Sequence, residues 1–198
     1  LGSGSSPARA EDRLTFPGHS GVTNEFRLDS QRVPDPALLQ RVDPERMAAE
    51  LMELLALPSR SCQEGVLVAG AKSRLESVGA GLGIRVQIDD LPVRHQVLPA
   101  AEKADLSCDR GKTPPESGNL VAVIPGNPEL PSWNLSFHLD TNQIKIAGMH
   151  RDGDVIRSAP GSPLGGDDKA GLAIILELLR VIDVAEAEHG HIYIVGMV

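Results

Sequence analysis

Aromatic side chains are scarce in this chain: one Trp, one Tyr and three Phe make up 3% of its 198 residues. A stacking platform for single-stranded nucleic acid sets several such rings along one surface, and this composition does not supply them. Basic residues are outnumbered as well. Lys and Arg total 19 against 27 Asp and Glu, a formal net charge of −8, which leaves no basic footprint for a phosphate backbone. Only two cysteines occur, Cys62 and Cys108, so neither a disulfide framework nor a Cys-x-x-Cys metal site is encoded. Two reduced thiols are expected, with a single disulfide as the alternative. No apolar run reaches the roughly eighteen residues of a membrane span, and residues 1–35 lack the apolar core of a signal peptide. These absences argue against nucleic-acid and membrane partners and set the expectation of a cytoplasmic protein.

Apolar residues make up 41% of the chain, enough for one substantial core. Residues 1–35 are rich in Gly, Ser, Pro and charge without sustained periodicity, and read as a flexible arm ahead of a folded portion over 36–198. Asp43-Pro44-Glu45 predicts a helix start, with a capping aspartate and a proline at the first helical position. Met47, Leu51, Leu54 and Leu55 form its apolar stripe, and Pro58 ends it. Ser61-Cys62-Gln63-Glu64 has the pattern of a capping box for a second helix running to Val78, closed at Gly79. Ile84, Val86 and Ile88 alternate with Arg85 and Gln87, which predicts a half-buried strand. Residues 91–117 mix charges and prolines with no clear period and read as a long loop or irregular strand region.

Three strand-like segments follow, over 120–124, 135–141 and 192–198, with a helix over 168–182 between the last two. On that helix Leu172, Ile175, Leu176, Leu179 and Ile182 recur on one side, while Lys169, Glu177, Arg180 and Asp183 fall on the other and read as its polar face. Helices alternating with short apolar strands predict an α/β fold, a layered domain with a mixed β-sheet flanked by helices. In such sheets ligands bind at strand ends beside helix N-termini.

Chemistry concentrates at two such places. His138 and Asp140, two apart on a strand, point the same way. An imidazole suits a borderline divalent metal, and a nearby carboxylate can bind the same metal or fix the ring from behind. Alone, a His-x-Asp triplet is common by chance. The loop Leu164-Gly165-Gly166-Asp167-Asp168-Lys169-Ala170-Gly171 then leads into the helix. Carboxylates there are favoured by unpaired amides and the helix dipole, so capping accounts for the aspartates as well as function does. His95, His150, His189, His191, Ser59 and Ser61 read as structural or solvent-facing, the two serines as caps.

The order of segments is more informative than any of them. Ser117-Gly118-Asn119-Leu120-Val121-Ala122-Val123-Ile124-Pro125-Gly126, His138-Leu139-Asp140-Thr141, Asp152-Gly153-Asp154-Val155-Ile156, the Leu164 to Gly171 loop and His189-Gly190-His191-Ile192-Tyr193-Ile194-Val195 together resemble the peptidase T branch of the dinuclear zinc peptidases. That larger group also holds aminoacylases and carboxypeptidases. The resemblance covers about Met47 to Val198, and Gly-Asp-Asp-Lys-Ala-Gly is its most specific element. It implies the catalytic-domain fold of that group, two Zn2+ per complete site with Co2+ or Mn2+ as substitutes, and hydrolysis of short peptide substrates such as tripeptides by metal-activated water. It assigns His138 as a metal ligand, Asp140 as the catalytic residue behind it, and Asp167, not Asp168, as the carboxylate bridging both metals. After Thr141 the family often continues Val-Pro, whereas this chain reads Asn142-Gln143-Ile144.

The family pattern also calls for a glutamate pair directly after the strand at 192–198, a later acidic ligand, a distal histidine and an inserted lid through which the full-length protein is expected to form a homodimer. None of these is matched in the 198 residues. The polypeptide is therefore expected to be the N-terminal portion of a catalytic domain and inactive as given. The alternatives are a non-catalytic scaffold or binding module, or an N-acyl amino acid deacylase or carboxypeptidase of the same group.

Overall fold

A computed structural model describes residues 36–97, 99, 115–142 and 147–198. The chain divides into Leu1–Asp35 and Pro36–Val198; the first, read above as an arm, lies outside the described residues. After a short turn of helix α1 (Pro36–Leu39), helix α2 (Pro44–Ala56) begins as its sequence dictates. Asp43 accepts the Glu45 and Arg46 N–H groups on Oδ1 at 3.0 Å each, and Pro44 occupies the position where a missing N–H costs nothing. Helix α3 (Gly65–Val78) and strand β1 (Arg85–Ile88) follow. Residues 91–117 differ from the sequence reading at their start, where Leu91–Val97 forms helix α4. Its entry is set by Asp89, whose Oδ1 accepts the Leu91 N–H at 3.0 Å and the Asn119 N–H at 3.1 Å. A side chain satisfying amides across thirty residues leaves no local period to read.

Strands β2 (Leu120–Ile124) and β3 (Trp133–His138), a hairpin of β4 (His150–Asp152) and β5 (Val155–Arg157), helix α5 (Gly166–Ala185) and strand β6 (Ile192–Met197) complete the described elements. The main sheet has the order β1-β2-β6-β3. Its first two pairings are antiparallel, and β3 runs parallel to β6. This is the mixed sheet flanked by helices that the alternation of elements predicts. Period-two alternation puts Leu120, Ala122 and Ile124 of β2 on one face with Ile192 and Ile194 of β6, all fully buried. Against that face pack Leu54 of α2, Leu67, Val68, Ala71 and Leu75 of α3, and Leu172, Leu176 and Leu179 of α5. Full burial of each such Leu or Ile side chain contributes about 1.5–3 kcal/mol.

The polar face expected for α5 is corrected. Lys169 and Glu177 are 3% and 2% exposed, because α2 lies across that side of α5 and covers it. Arg46 of α2 clamps Glu177, donating Nε to Oε2 at 2.9 Å and Nη2 to Oε1 at 2.7 Å, while the Asp43 N–H donates to Oε1 at 2.8 Å. Glu50 of α2 similarly receives Arg74 of α3 at 2.7 Å and Arg180 of α5 at 2.5 Å. The three helices are thus joined by charge as well as by apolar packing.

Cys62 is disulfide-bonded, so the expectation of two reduced thiols is corrected; Cys108 lies outside the described residues. Sequence spacing carries no distance between two thiols, and the expectation rested on compartment alone. With it goes one support for a cytoplasmic setting. Among the described residues no helix is long and apolar enough to cross a membrane.

Candidate metal centre

Strand β3 delivers the first side chain. His138 is its last residue, and the pairing continues one step further through the Leu139 N–H to the Met197 carbonyl at 2.7 Å. Leu139 is fully buried, and this inward anchor leaves His138 and Asp140 on the opposite side, 39% and 38% exposed. The next residue is held too: the Thr141 N–H donates to the Ser59 carbonyl at 2.7 Å, and the Ser59 and Thr141 hydroxyls meet at 3.2 Å.

The second side chain arrives on the loop before α5. Gly165 takes φ +71°, a left-handed conformation open to glycine. Asp167 and Asp168 keep non-helical backbone angles, and the peptide between them is cis. The regular helix begins after them, and its first turn separates the two aspartates by role. Asp168 Oδ1 accepts the Gly171 N–H at 3.1 Å, a side-chain cap on an otherwise unsatisfied amide. Among the described residues Asp167 makes no such cap; its side chain is 94% exposed and presents Oδ1 to His138 Nε2 at 3.1 Å.

His138, Asp140 and Asp167 therefore meet. His138 Nδ1 lies 3.0 Å from the Asp140 carbonyl and 3.1 Å from Asp140 Oδ1, two acceptors that place a proton on that nitrogen. Nε2 is left to face Asp167. Burial of the ring opposes protonation, but the carboxylate of Asp167, the Asp140 carbonyl and the charges of both aspartates outweigh it and raise the imidazole above its ordinary pKa of 6.5. A proton on Nε2 and a divalent cation are alternative ways of filling the same gap.

The donor set passes a simple test of fit. Two donors at zinc bond lengths of about 2.0–2.1 Å in tetrahedral array stand roughly 3.3 Å apart, close to the 3.1 Å between Nε2 and Oδ1. The pair is an edge of a site rather than a whole one. Among the described residues no group of three or more His, Cys, Asp or Glu side chains is arranged to hold a metal ion, whereas a catalytic zinc takes about three protein ligands.

His191 Nδ1 accepts the Gly126 N–H at 3.0 Å, His189 Nδ1 lies 2.7 Å from the Gly190 carbonyl, and His150 Nδ1 lies 2.9 Å from the Gly148 carbonyl. His95 falls within α4. Ser61 departs from its reading. The capping box does not form: Glu64 stands at the N-cap of α3 without a side-chain cap bond, its Oε1 accepts the Cys62 N–H at 2.5 Å, and Ser61 donates to Asp140 Oδ2 at 2.6 Å. The Ser-x-x-Glu pattern marks this loop, but its serine serves the strand end across the fold instead of its own helix. Burial, with further pressure from the Asp140 and Glu116 carboxylates, outweighs the backbone N–H donors and raises the Glu64 pKa above 4.5. Lys169, beside the aspartates, donates Nζ to the Leu57 carbonyl at 2.6 Å, and burial lowers its pKa to about 8.

The same arrangement of elements recurs in solved structures. Aminopeptidase PepT from Bacillus cereus superposes with a TM-score of 0.62 at 24% identity, over 79% of this chain and 36% of that one. A tripeptidase from Staphylococcus aureus gives 0.60 at 27% identity over the same shares, 79% and 36%. The chain has the peptidase T-like fold. In sequence it is 25% identical, over 155 residues, to an uncharacterized Bacillus subtilis protein, YqjE, covering 76% of this chain and 35% of that protein. No family model matches. The chain thus spans about a third of the length of each relative, and the peptidase T-like fold over that third is the part that carries His138 and Asp167.

Proposed function

We propose that this chain contributes one edge of the metal centre in a zinc-dependent aminopeptidase of the peptidase T type, acting on short peptides. The observation that carries the proposal is the two-sided contact of one imidazole: Nδ1 held by Asp140 and Nε2 turned to the exposed carboxylate of Asp167, 3.1 Å away. The fold shared with an aminopeptidase and a tripeptidase supports it.

His138 Nε2 and Asp167 would hold the metal, and the bridging role that the family resemblance implies for Asp167 is part of this proposal. When bound, such ions polarise a carbonyl and make water a competent nucleophile near neutral pH. The rest is done by this chain's own side chains. Asp140 fixes the ring plane and keeps the Nδ1 proton in place, which raises the basicity of Nε2. Asp168 caps α5 and stays out of the ligand set. Buried Leu139 sets His138 and Asp140 on the same side of the strand end, the face turned away from the core.

Two ligands are too few for a catalytic zinc, and the 198 residues alone are proposed to bind metal weakly and to lack peptidase activity. Homodimerisation through a lid is likewise proposed for the whole protein. The test is to supply the complete natural polypeptide carrying this sequence with zinc, then offer it tripeptides and N-acyl amino acids. Release of the N-terminal residue from tripeptides is expected; cleavage of N-acyl amino acids alone would replace the aminopeptidase reading with a deacylase.

A further inference from the structure

We infer that Ser61 is a positioning residue for the metal edge, a role that rests on the metallopeptidase reading above and adds to it. By pinning one oxygen of Asp140, Ser61 holds the other on the His138 ring and so sets the hydrogen-bond state of the imidazole that a cation would meet at Nε2. The chain of contacts is continuous. Ser61 Oγ donates to Asp140 Oδ2 at 2.6 Å, Asp140 Oδ1 faces His138 Nδ1 at 3.1 Å, and His138 Nε2 faces Asp167 Oδ1 at 3.1 Å.

Asp140 needs such a restraint. Its side chain is 38% exposed, and the terminal torsion of an aspartate is broad. Unpinned, the carboxylate can turn to water. Ser61 itself is not free to follow, because its loop is fastened on both sides. Arg60 bridges to Thr141 in parallel register, the Thr141 N–H donates to the Ser59 carbonyl at 2.7 Å, and the Gln63 N–H closes a turn on the Arg60 carbonyl at 2.7 Å. Ser59 and Glu64, flanking Ser61, are each 1% exposed. The hydroxyl is thereby presented to Asp140 from a rigid support.

The Asp140 carbonyl also faces Nδ1, at 3.0 Å. Loss of Ser61 therefore leaves the proton on Nδ1 but removes the charge-assisted partner, the stronger of the two. The ring keeps its tautomer and loses basicity at Nε2. Removing a partner that orients a ligating histidine lowers metal affinity by about 10-fold or more.

The experiment uses the full 198-residue chain with 15N-labelled histidine. The 15N shifts of His138 Nδ1 and Nε2 are read without metal at a pH where the ring is neutral, and zinc is then titrated. Ser61→Ala is expected to move both shifts and to weaken zinc binding by about 10-fold. Ser61→Thr, which keeps the hydroxyl, should restore both, while its isostere Ser61→Val should behave like alanine; this pair serves if the alanine variant is poorly folded. Since Ser61 acts through Asp140, adding Ser61→Ala to Asp140→Ala should change nothing further. Unaltered His138 shifts in Ser61→Ala, equal behaviour of the Thr and Val variants, or a full additional loss in the double variant would each overturn the role of Ser61. Failure of the metallopeptidase reading is separate: it shows in the unsubstituted chain, as zinc that leaves His138 Nε2 undisturbed.

Discussion

Replacing Arg46 by alanine should be among the most damaging changes possible on the partly exposed side of this fold. Its guanidinium supplies two bonds to Glu177, at 2.9 and 2.7 Å. Without them a carboxylate only 3% exposed retains the Asp43 N–H at 2.8 Å and Arg180 at 3.7 Å. Hydrogen bonds to charged groups contribute roughly 1.5–3 kcal/mol each, and stranding one member of a buried pair costs about 3–5 kcal/mol. Arg46 is itself 41% exposed, so solvent screens its share and the low end applies, about 3 kcal/mol. Urea unfolding followed by circular dichroism measures this as a lower midpoint at unchanged slope. Glu177→Gln should cost less, and the double variant less than the sum of the singles, since both remove one interaction.

The acid limb gives an independent reading of the same pair. Burial opposes ionisation of Glu177, but Arg46, the Asp43 N–H and Arg180 outweigh it and hold the carboxyl below its ordinary 4.5. A group with a depressed folded pKa binds fewer protons folded than unfolded. Its stabilisation is therefore complete above about 4.5 and is lost as pH falls through the folded value. Glu177→Gln should flatten that part of the profile. A loss of under about 1 kcal/mol for Arg46→Ala, as for an exposed pair, or strict additivity in the double variant, would refute the view that this carboxylate is buried and dependent on its clamp.

Two further substitutions test packing and capping. Gly196→Ala places a Cβ 2.8 Å from Phe137 Cζ and 3.1 Å from Leu139 Cδ1, an overpacked site beneath the metal edge that should cost about 1–3 kcal/mol, seen as a lower thermal midpoint. Asp168→Ala removes the cap on Gly171 and should cost about 1 kcal/mol in the same assay, while leaving the His138 resonances in place.

Much of this architecture is legible in the residues because it is local. Asp43-Pro44 announces α2, period two announces β2, and the apolar recurrence from Leu172 to Ile182 announces the core side of α5. What is not legible is set across the fold. Lys169 and Glu177 read as surface because periodicity says which side of a helix faces a sheet, and says nothing of a second helix laid over the other side. Helix α4 is hidden because its entry depends on Asp89 and on Asn119, thirty residues away. The same limit applies to the site. His138 and Asp140 can be paired by strand geometry, and the family resemblance chooses Asp167 over Asp168. Ser61 is misread because its capping pattern is genuine in sequence, and only the fastening of the Ser59 to Thr141 edge shows that its hydroxyl points elsewhere.

The most direct test is a zinc titration of the 15N-histidine-labelled chain, read at His138 and compared with Asp167→Asn and Asp168→Asn. Zinc is expected to perturb His138 Nε2 with Nδ1 still protonated, Asp167→Asn to abolish the perturbation, and Asp168→Asn to leave it unchanged. Zinc that bypasses His138, or binding that depends on Asp168 and not on Asp167, would contradict the assignment of this metal edge.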